Sequence, residues 1–220
     1  MKILALIPAR MGSSRFPGKP MAEILGKPMI GHVYENVSRC EMLTKTVVAT
    51  CDEEIADYIN SIGGEAVMTG SHHERACDRC AEALIYLEQN DGIRYDIVVV
   101  VQGDEPMTHP DMINEAILPM LSDESIVVVN LMGDIKSVEE FEDRNTIKVV
   151  CDNKNNAIYF SREPIPTRKY SLNIPMKKQV CIIPFRRNFL IEFTEFKPTP
   201  LEIFESIDMM RVLENSLKVK

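Results

Sequence analysis

The chain has 220 residues, 45% of them hydrophobic and 26% charged, with a formal net charge of −8. That length buries a sizeable core as one domain, and the composition excludes a mainly disordered chain. The acidic balance and the lack of any basic block argue against nucleic acid or an anionic membrane surface as partner.

The first segment, Ile3–Ile7, is a short apolar run that reads as a buried strand. Pro8-Ala9-Arg10 follows at once, so the opening is too short for a signal peptide. No apolar stretch approaches the roughly 18 residues of a membrane helix, and a cytoplasmic location is expected. The six cysteines are scattered and fit reduced, mostly buried thiols.

Further along, Thr46–Thr50, Ile97–Val101 and Ile126–Leu131 are also short and rich in β-branched residues. Their hydrophobicity is continuous rather than alternating, as in parallel strands covered on both faces. Met29–Cys40, Glu53–Ile62, Ala76–Glu88 and Pro110–Leu121 read as helices between them, with Pro110 suited to a first turn. This alternation predicts an α/β fold, an open and mostly parallel sheet flanked by helices. From about residue 134 the rhythm changes. Ile147–Cys151 and Ala157–Phe160 flank the turn-rich Asp152–Asn156 and read as a hairpin. Ser161–Lys178 reads as a surface loop, Val180–Phe185 as a strand and Leu201–Leu217 as a final helix. The expected organisation is one domain over 1–220 containing a small β-rich insertion at 134–185.

The strongest chemical signal follows the first strand. Pro8-Ala9-Arg10-Met11-Gly12-Ser13-Ser14-Arg15-Phe16-Pro17-Gly18-Lys19-Pro20 combines small residues with three cations, Arg10, Arg15 and Lys19. Ligands of open α/β sheets bind at the carboxyl ends of strands, and a basic loop there suits a triphosphate. The loop is neither a Walker loop nor a dinucleotide fingerprint. The second signal is Gln102-Gly103-Asp104-Glu105-Pro106, which follows the most apolar strand. Its carboxylates are placed to hold Mg²⁺ against phosphate oxygens, and Gln102 offers an amide to a base or sugar. Cys77 and Cys80 have the spacing of half a zinc site without a second half, and read as buried thiols. His72-His73 reads as a solvated turn, and the thirteen methionines as packing.

Taken together, Ile7-Pro8-Ala9-Arg10, Ser14-Arg15, Pro17-Gly18-Lys19-Pro20 and Gly26-Lys27-Pro28-Met29-Ile30 resemble the opening of the CMP-Kdo synthetases (3-deoxy-manno-octulosonate cytidylyltransferases). The likeness continues through Val48-Ala49-Thr50, Val67-Met68-Thr69, Gln102–Pro106, Lys148-Val149-Val150 and Tyr159-Phe160-Ser161-Arg162. It ends with Pro200-Leu201-Glu202 and Arg211-Val212-Leu213, so it covers most of the chain. The resemblance implies a nucleotide-diphospho-sugar-transferase-like fold, a homodimer through the 134–185 region, and CTP with Mg²⁺. It also implies CMP transfer to an acidic keto sugar for a surface polysaccharide precursor. By position, Arg10, Arg15, Lys19 and Asp104 would be catalytic, with Asp104 on the metal. CTP would meet Pro8, Ala9, Arg10, Ser14, Arg15, Lys19, Arg75, Cys77, Asp78, Gln102 and Gly103. The acceptor would meet Gln102, Glu105, Arg162, Gln179, Ile183 and Glu205.

Departures from the family pattern fall on the acceptor side. Arg75 stands where the family has Ser, and Gln179, Ile183 and Met209 stand where it has His, Tyr and Gln. Ile183 and Met209 cannot make the hydrogen bonds of the residues they replace. Unmodified Kdo is therefore not expected to be the best acceptor, and Arg75 is expected to recruit an additional anionic or carbonyl group. The family pattern continues past the position of Lys220 with a Val-Asp-Thr segment supplying a second metal carboxylate, which is expected to come from elsewhere or be lacking. Other readings are a cytidylyltransferase for a nonulosonate or phosphonate, a sugar-1-phosphate nucleotidyltransferase using another NTP, and a nucleotide-binding protein that has lost catalysis.

Overall fold

The computed structural model describes residues 1–12, 16–170 and 176–220. Five strands make the main sheet: β1 (Ile3–Ala9), β4 (Lys45–Thr50), β5 (Ala66–Met68), β6 (Ile97–Val101) and β11 (Ile182–Arg186). Their order is β11-β6-β1-β4-β5, parallel throughout except for the antiparallel β11. Side chains alternate between faces along a strand. Leu4, Leu6, Val98 and Val100 therefore join one core, and Ala5, Ile7, Val99 and Val101 the other. The first core is closed by α3 (Ala76–Asp91) and α6 (Arg187–Glu195) through Leu84, Leu87, Phe189 and Phe193. The second is closed by α1 (Met29–Ser38), α2 (Glu53–Ser61) and α4 (Pro110–Ser122) through Val33, Ile59, Ile113 and Ile117. Two covered faces are the reason these strands read as unbroken apolar runs. A short hairpin, β2 (Glu23–Ile24) and β3 (Lys27–Pro28), precedes α1 and turns at Leu25 and Gly26, both with positive φ.

A second, antiparallel sheet has the order β7-β10-β8-β9, with β7 at Met132–Asp134, β8 at Lys148–Cys151, β9 at Ala157–Ser161 and β10 at Lys177–Gln179. The β8–β9 hairpin forms as expected. Its loop is held by the Asp152 carboxylate, which accepts from the backbone of Lys154 and Asn156. The short α5 (Val138–Glu142) lies between β7 and β8.

Several expectations need correction. The end of Ser161–Lys178 is not loop: Lys177 and Lys178 sit in β10 between two partner strands. Their cations pair with Asp134 and Glu140, so charge complementarity, not hydrophobicity, marks the strand. Val180–Phe185 is not one strand, because the chain leaves the small sheet after Gln179 and enters the main sheet at Ile182. Ile126–Leu131 runs beside β11 without becoming a full ladder, with Val129 N–H donating to Pro184 O at 2.9 Å. Pro184 has no N–H to return that bond. Helix α6 was not expected, although Phe189, Leu190 and Phe193 carry a helical spacing.

Leu201–Leu217 is not one helix but two, α7 (Pro200–Glu205) and α8 (Asp208–Glu214), broken at Ser206 with φ 53°. The buried Glu202 accepts from Arg211 Nε at 2.7 Å and Nη2 at 2.6 Å. In a continuous helix, residues nine apart lie about half a turn out of phase, on opposite faces. The break is what lets the two charges meet.

Candidate active site

A cleft of about 830 Å³ opens at the carboxyl ends of β1 and β6 and reaches across to the small sheet. Gly103 is the reason two loops share it. A Cβ there would lie 2.9 Å from Pro8 O and 3.2 Å from Ile30 Cδ1, so only glycine lets the end of β6 press against the end of β1. That contact sets Gln102 and Asp104 in the same cleft as Pro8, Ala9 and Arg10.

Beyond Arg10 the basic loop is anchored at both described ends. Met11 N–H donates to Asp52 Oδ2 at 2.8 Å, and Gly18 N–H to Met11 O at 3.0 Å. Gly18 takes φ 73° and starts a 3₁₀ turn, Lys19–Met21. This aims Lys19 at Asp104, Nζ to Oδ2 at 2.6 Å. Both side chains stay over one-third exposed, so the pair is open to competition by a ligand. Ser14 and Arg15 lie outside the described residues.

The third wall is the start of α3, where Arg75, Ala76 and Cys77 line the cleft. His73 O joins this wall to the basic loop by accepting from Arg10 Nη1 and Arg79 Nη2, both at 3.4 Å. His72-His73 is therefore more than a solvated turn: His73 Nε2 also meets the Glu82 carboxylate, which Gly70 N–H orients. Asp78 is not part of the lining, and its Oδ1 is buried without a donor among the described residues. Burial raises the thiols of Cys77, Cys80 and Cys181, the last to about 12 with Glu105 and Asp104 adding to the effect.

Glu105 follows Asp104 in the same turn and also lines the cleft. Burial first, then the Asp104 charge, pushes its carboxyl above the usual range against Lys19 and Lys178. Its backbone N–H donates to Gln102 O at 3.2 Å and tightens the turn after β6.

On the opposite side, the crossover from β10 to β11 presents Gln179, Cys181 and Ile183 to the cleft at a spacing of two. Gln179 Nε2 donates to Asn130 Oδ1 at 2.5 Å. Arg162 lines the cleft, yet its guanidinium is largely answered by carbonyls. Nε donates to Glu205 O at 2.6 Å, Nη1 to Arg144 O at 3.1 Å and Nη2 to Ser206 O at 3.3 Å. Glu205 is not in the lining; its carboxylate accepts from Tyr159 OH, Ser161 Oγ and Arg162 N–H. Lys148 is fully buried and gives its ammonium to the carbonyls of Asp143, Thr146 and Arg162. These bonds clamp the hairpin of the small sheet to the α7–α8 junction and so build the far wall.

Sequence reading left several lining residues out of the site, among them Glu74, Arg79, Asn145, Cys181 and Asp208. Asp208 lies in a segment already aligned on its neighbours Glu205 and Met209; Asn145 carries no signal. Chemically, the arrangement places cations at one end of an anion-sized cleft, a carboxylate beside them, and a half-apolar wall facing both.

A cytidylyltransferase family model matches residues 4–219. The 3-deoxy-manno-octulosonate cytidylyltransferase of Geobacter metallireducens is 42% identical over 231 aligned residues, covering 100% of this chain and 89% of its own. That of Syntrophus aciditrophicus is 41% identical, covering 100% and 88%. Among solved structures, CMP:2-keto-3-deoxy-manno-octonic acid synthetase complexed with CTP is similar at a TM-score of 0.90 and 34% identity, covering 100% of this chain and 88% of that one. A 4-diphosphocytidyl-2C-methyl-D-erythritol synthase from Anaerococcus prevotii, at 16% identity and a TM-score of 0.59, covering 98% and 83%, shares the fold alone.

Proposed function

This chain belongs to the cytidylyltransferase family, and from that premise we propose that it transfers CMP from CTP to an acidic keto sugar of the 3-deoxy-ulosonate class, releasing pyrophosphate. The observation that carries this reading is the convergence of Arg10, Lys19, Gln102 and Asp104 where β1 and β6 end. A sugar hydroxyl attacks the α-phosphorus in line with the departing pyrophosphate. The protein's part is to position the reactants and neutralise charge rather than to bond covalently. In this reading Arg10, Arg15 and Lys19 answer the triphosphate, and Pro8, Ala9, Ser14, Gln102 and Gly103 fit the nucleotide. Gln179, Ile183 and Arg162 bound the acceptor, with Glu205 acting through Arg162.

The metal of the reaction would be Mg²⁺. The donors fit a hard cation: Asp104 has one oxygen on Lys19 and the other without a protein donor among the described residues, and Glu105 stands beside it. When bound, the ion would draw charge from the phosphate oxygens. Lys19, on the same side of the cleft, would supply a cation to the triphosphate.

We place the enzyme in the cytoplasm as a homodimer, with the region 134–185 as the contact. Ile158 and Tyr170 of that region are exposed apolar groups, and none of the described helices is long and apolar enough to cross a membrane. Sedimentation at twice the chain mass is the expected result, and a monomer at micromolar concentration overturns it.

Pyrophosphate release from CTP or UTP with Mg²⁺ and a panel of acceptors tests the activity. The panel contains Kdo, a modified ulosonate, a nonulosonate and a phosphonate. Release with CTP and a ulosonate is expected; no release with any acceptor favours a nucleotide binder that has lost catalysis. The names of the relatives favour Kdo itself as acceptor, whereas the apolar Ile183 and Met209 on the cleft wall favour a modified ulosonate. The ranking of kcat/KM within the panel decides between them.

A further inference from the structure

The connection from β5 to α3 gathers two imidazoles and a carboxylate that the proposed reaction does not use. It leaves β5 through Thr69, whose Oγ1 donates to Thr50 O at 3.1 Å, and runs to the start of α3. Within it the His72 and His73 rings lie against each other, their centroids 4.2 Å apart. Glu82, in the second turn of α3, meets His73 Nε2.

Gly70 makes this meeting possible. Its N–H donates to both Glu82 oxygens, at 3.2 and 3.0 Å, and its bare Cα leaves room for the His72 ring. A Cβ there would fall on that ring, 2.5 Å from Nδ1, and 3.5 Å from Glu82 Oε2. One ligand atom each from His72, His73 and Glu82 lie within 4.8 Å of one another. Burial disfavours the Glu82 charge, but the Gly70 N–H and the two imidazoles outweigh it and hold the carboxyl below its usual range.

Two imidazoles and a carboxylate are a donor set for a borderline dication such as Zn²⁺; Mg²⁺ prefers oxygen ligands and suits them poorly. Zinc holds such atoms at about 2.0–2.1 Å, which puts tetrahedral neighbours roughly 3.3 Å apart. His73 and Glu82 are already in contact, so a small rotation of the exposed His72 closes the set.

We propose that His72, His73 and Glu82 bind a Zn²⁺-class dication, with water in the remaining position. The ion takes the place of the proton that His73 Nε2 shares with Glu82, and that proton goes to solvent. Of the three residues only His73 lines the cleft, so the site stands behind its wall, apart from the cation proposed at Asp104. Occupancy would pin the β5–α3 connection to α3.

The test uses the whole chain without CTP. Competition with a chromophoric chelator gives Zn²⁺ affinity, and thermal unfolding with and without Zn²⁺ gives the shift in Tm. Wild type should take up one Zn²⁺ that millimolar Mg²⁺ does not displace, and its Tm should rise. His72→Gln and Glu82→Gln should each weaken binding by at least the roughly tenfold to hundredfold that losing an outer-shell partner costs, and should cancel the rise. Gly70→Ala should do the same with all three ligands present, because the new Cβ expels the His72 ring. Gly70 is not at positive φ, so its backbone accepts alanine. No uptake by the wild type, displacement by Mg²⁺, or unchanged affinity in His72→Gln overturns the inference. His72 is exposed, so that variant keeps the fold and decides the matter if Glu82→Gln does not. Pyrophosphate release plays no part in these readouts, so failure of the proposed function leaves the zinc site standing.

Discussion

Asp104 and Lys19 are 85 positions apart in the chain and 2.6 Å apart in the cleft. Their roles separate by substitution. Asp104→Asn keeps the size of the side chain but removes the charge that a hard cation needs, so Mg²⁺-dependent turnover should fall on the order of 10²-fold or more with the fold intact. Near-wild-type turnover at saturating Mg²⁺ would remove Asp104 from the metal. Lys19→Ala deletes a cation and frees an anion beside the triphosphate, so CTP affinity should drop steeply. Lys218→Ala, near the chain end and outside the cleft lining, should be nearly silent in the same titration; equal effects would make the basic loop a solvated turn. These two positions were legible because each follows a strand whose apolar run is unmistakable. Asp208 was not, because its partner in the cleft wall, Arg75, lies 133 positions away.

At the scale of elements, two ion pairs hold the helices in place. Glu202 and Arg211 are almost fully buried, and Arg211 also lies over the Phe193 ring at 4.7 Å. Glu202→Ala strands a buried cation and should cost about 3–5 kcal/mol in a urea titration, whereas the double change Glu202→Leu with Arg211→Met should cost less than the single one. Glu88 ties the end of α3 to the start of α6 through Arg187 at 2.7 Å. Burial disfavours its charge, but Arg187 and the Tyr95 N–H outweigh that and hold its carboxyl below the ordinary 4.5. With the folded value depressed, this stabilisation is present above about pH 4.5 and is lost as pH falls through the folded value. Glu88→Gln should therefore lower Tm at pH 7 and flatten its decline in acid. An unchanged acid limb would show that Glu88 is not paired in solution. Neither pair was readable beforehand: Glu202 and Arg211 fall within a segment whose periodicity alone suggests one helix.

For the whole molecule, a net charge of −8 opposes a polyanionic substrate, and the cations at one end of the cleft must act locally against that field. CTP affinity should therefore weaken as salt rises, because the contacts are charge to charge. Salt-independent affinity would mean that base and sugar contacts dominate. Three of the four parallel core strands (β1, β4 and β6, but not the three-residue β5), the helices between them, the β8–β9 hairpin and the basic end of the cleft were legible in the chain alone. Each is a local matter of apolar run length, helical spacing, turn residues or a loop directly following a strand. Only the tertiary contacts decided β10, whose Lys-Lys-Gln becomes a strand between β7 and β8 with Asp134 and Glu140 answering its lysines, and the break at Ser206, which lets Glu202 and Arg211 meet. They also decided which acceptor-side residues face the ligand. Arg162 and Glu205 turn to each other and to backbone carbonyls, while Asp208 turns to the cleft, because partners distant in sequence satisfy the first two and leave the third half free.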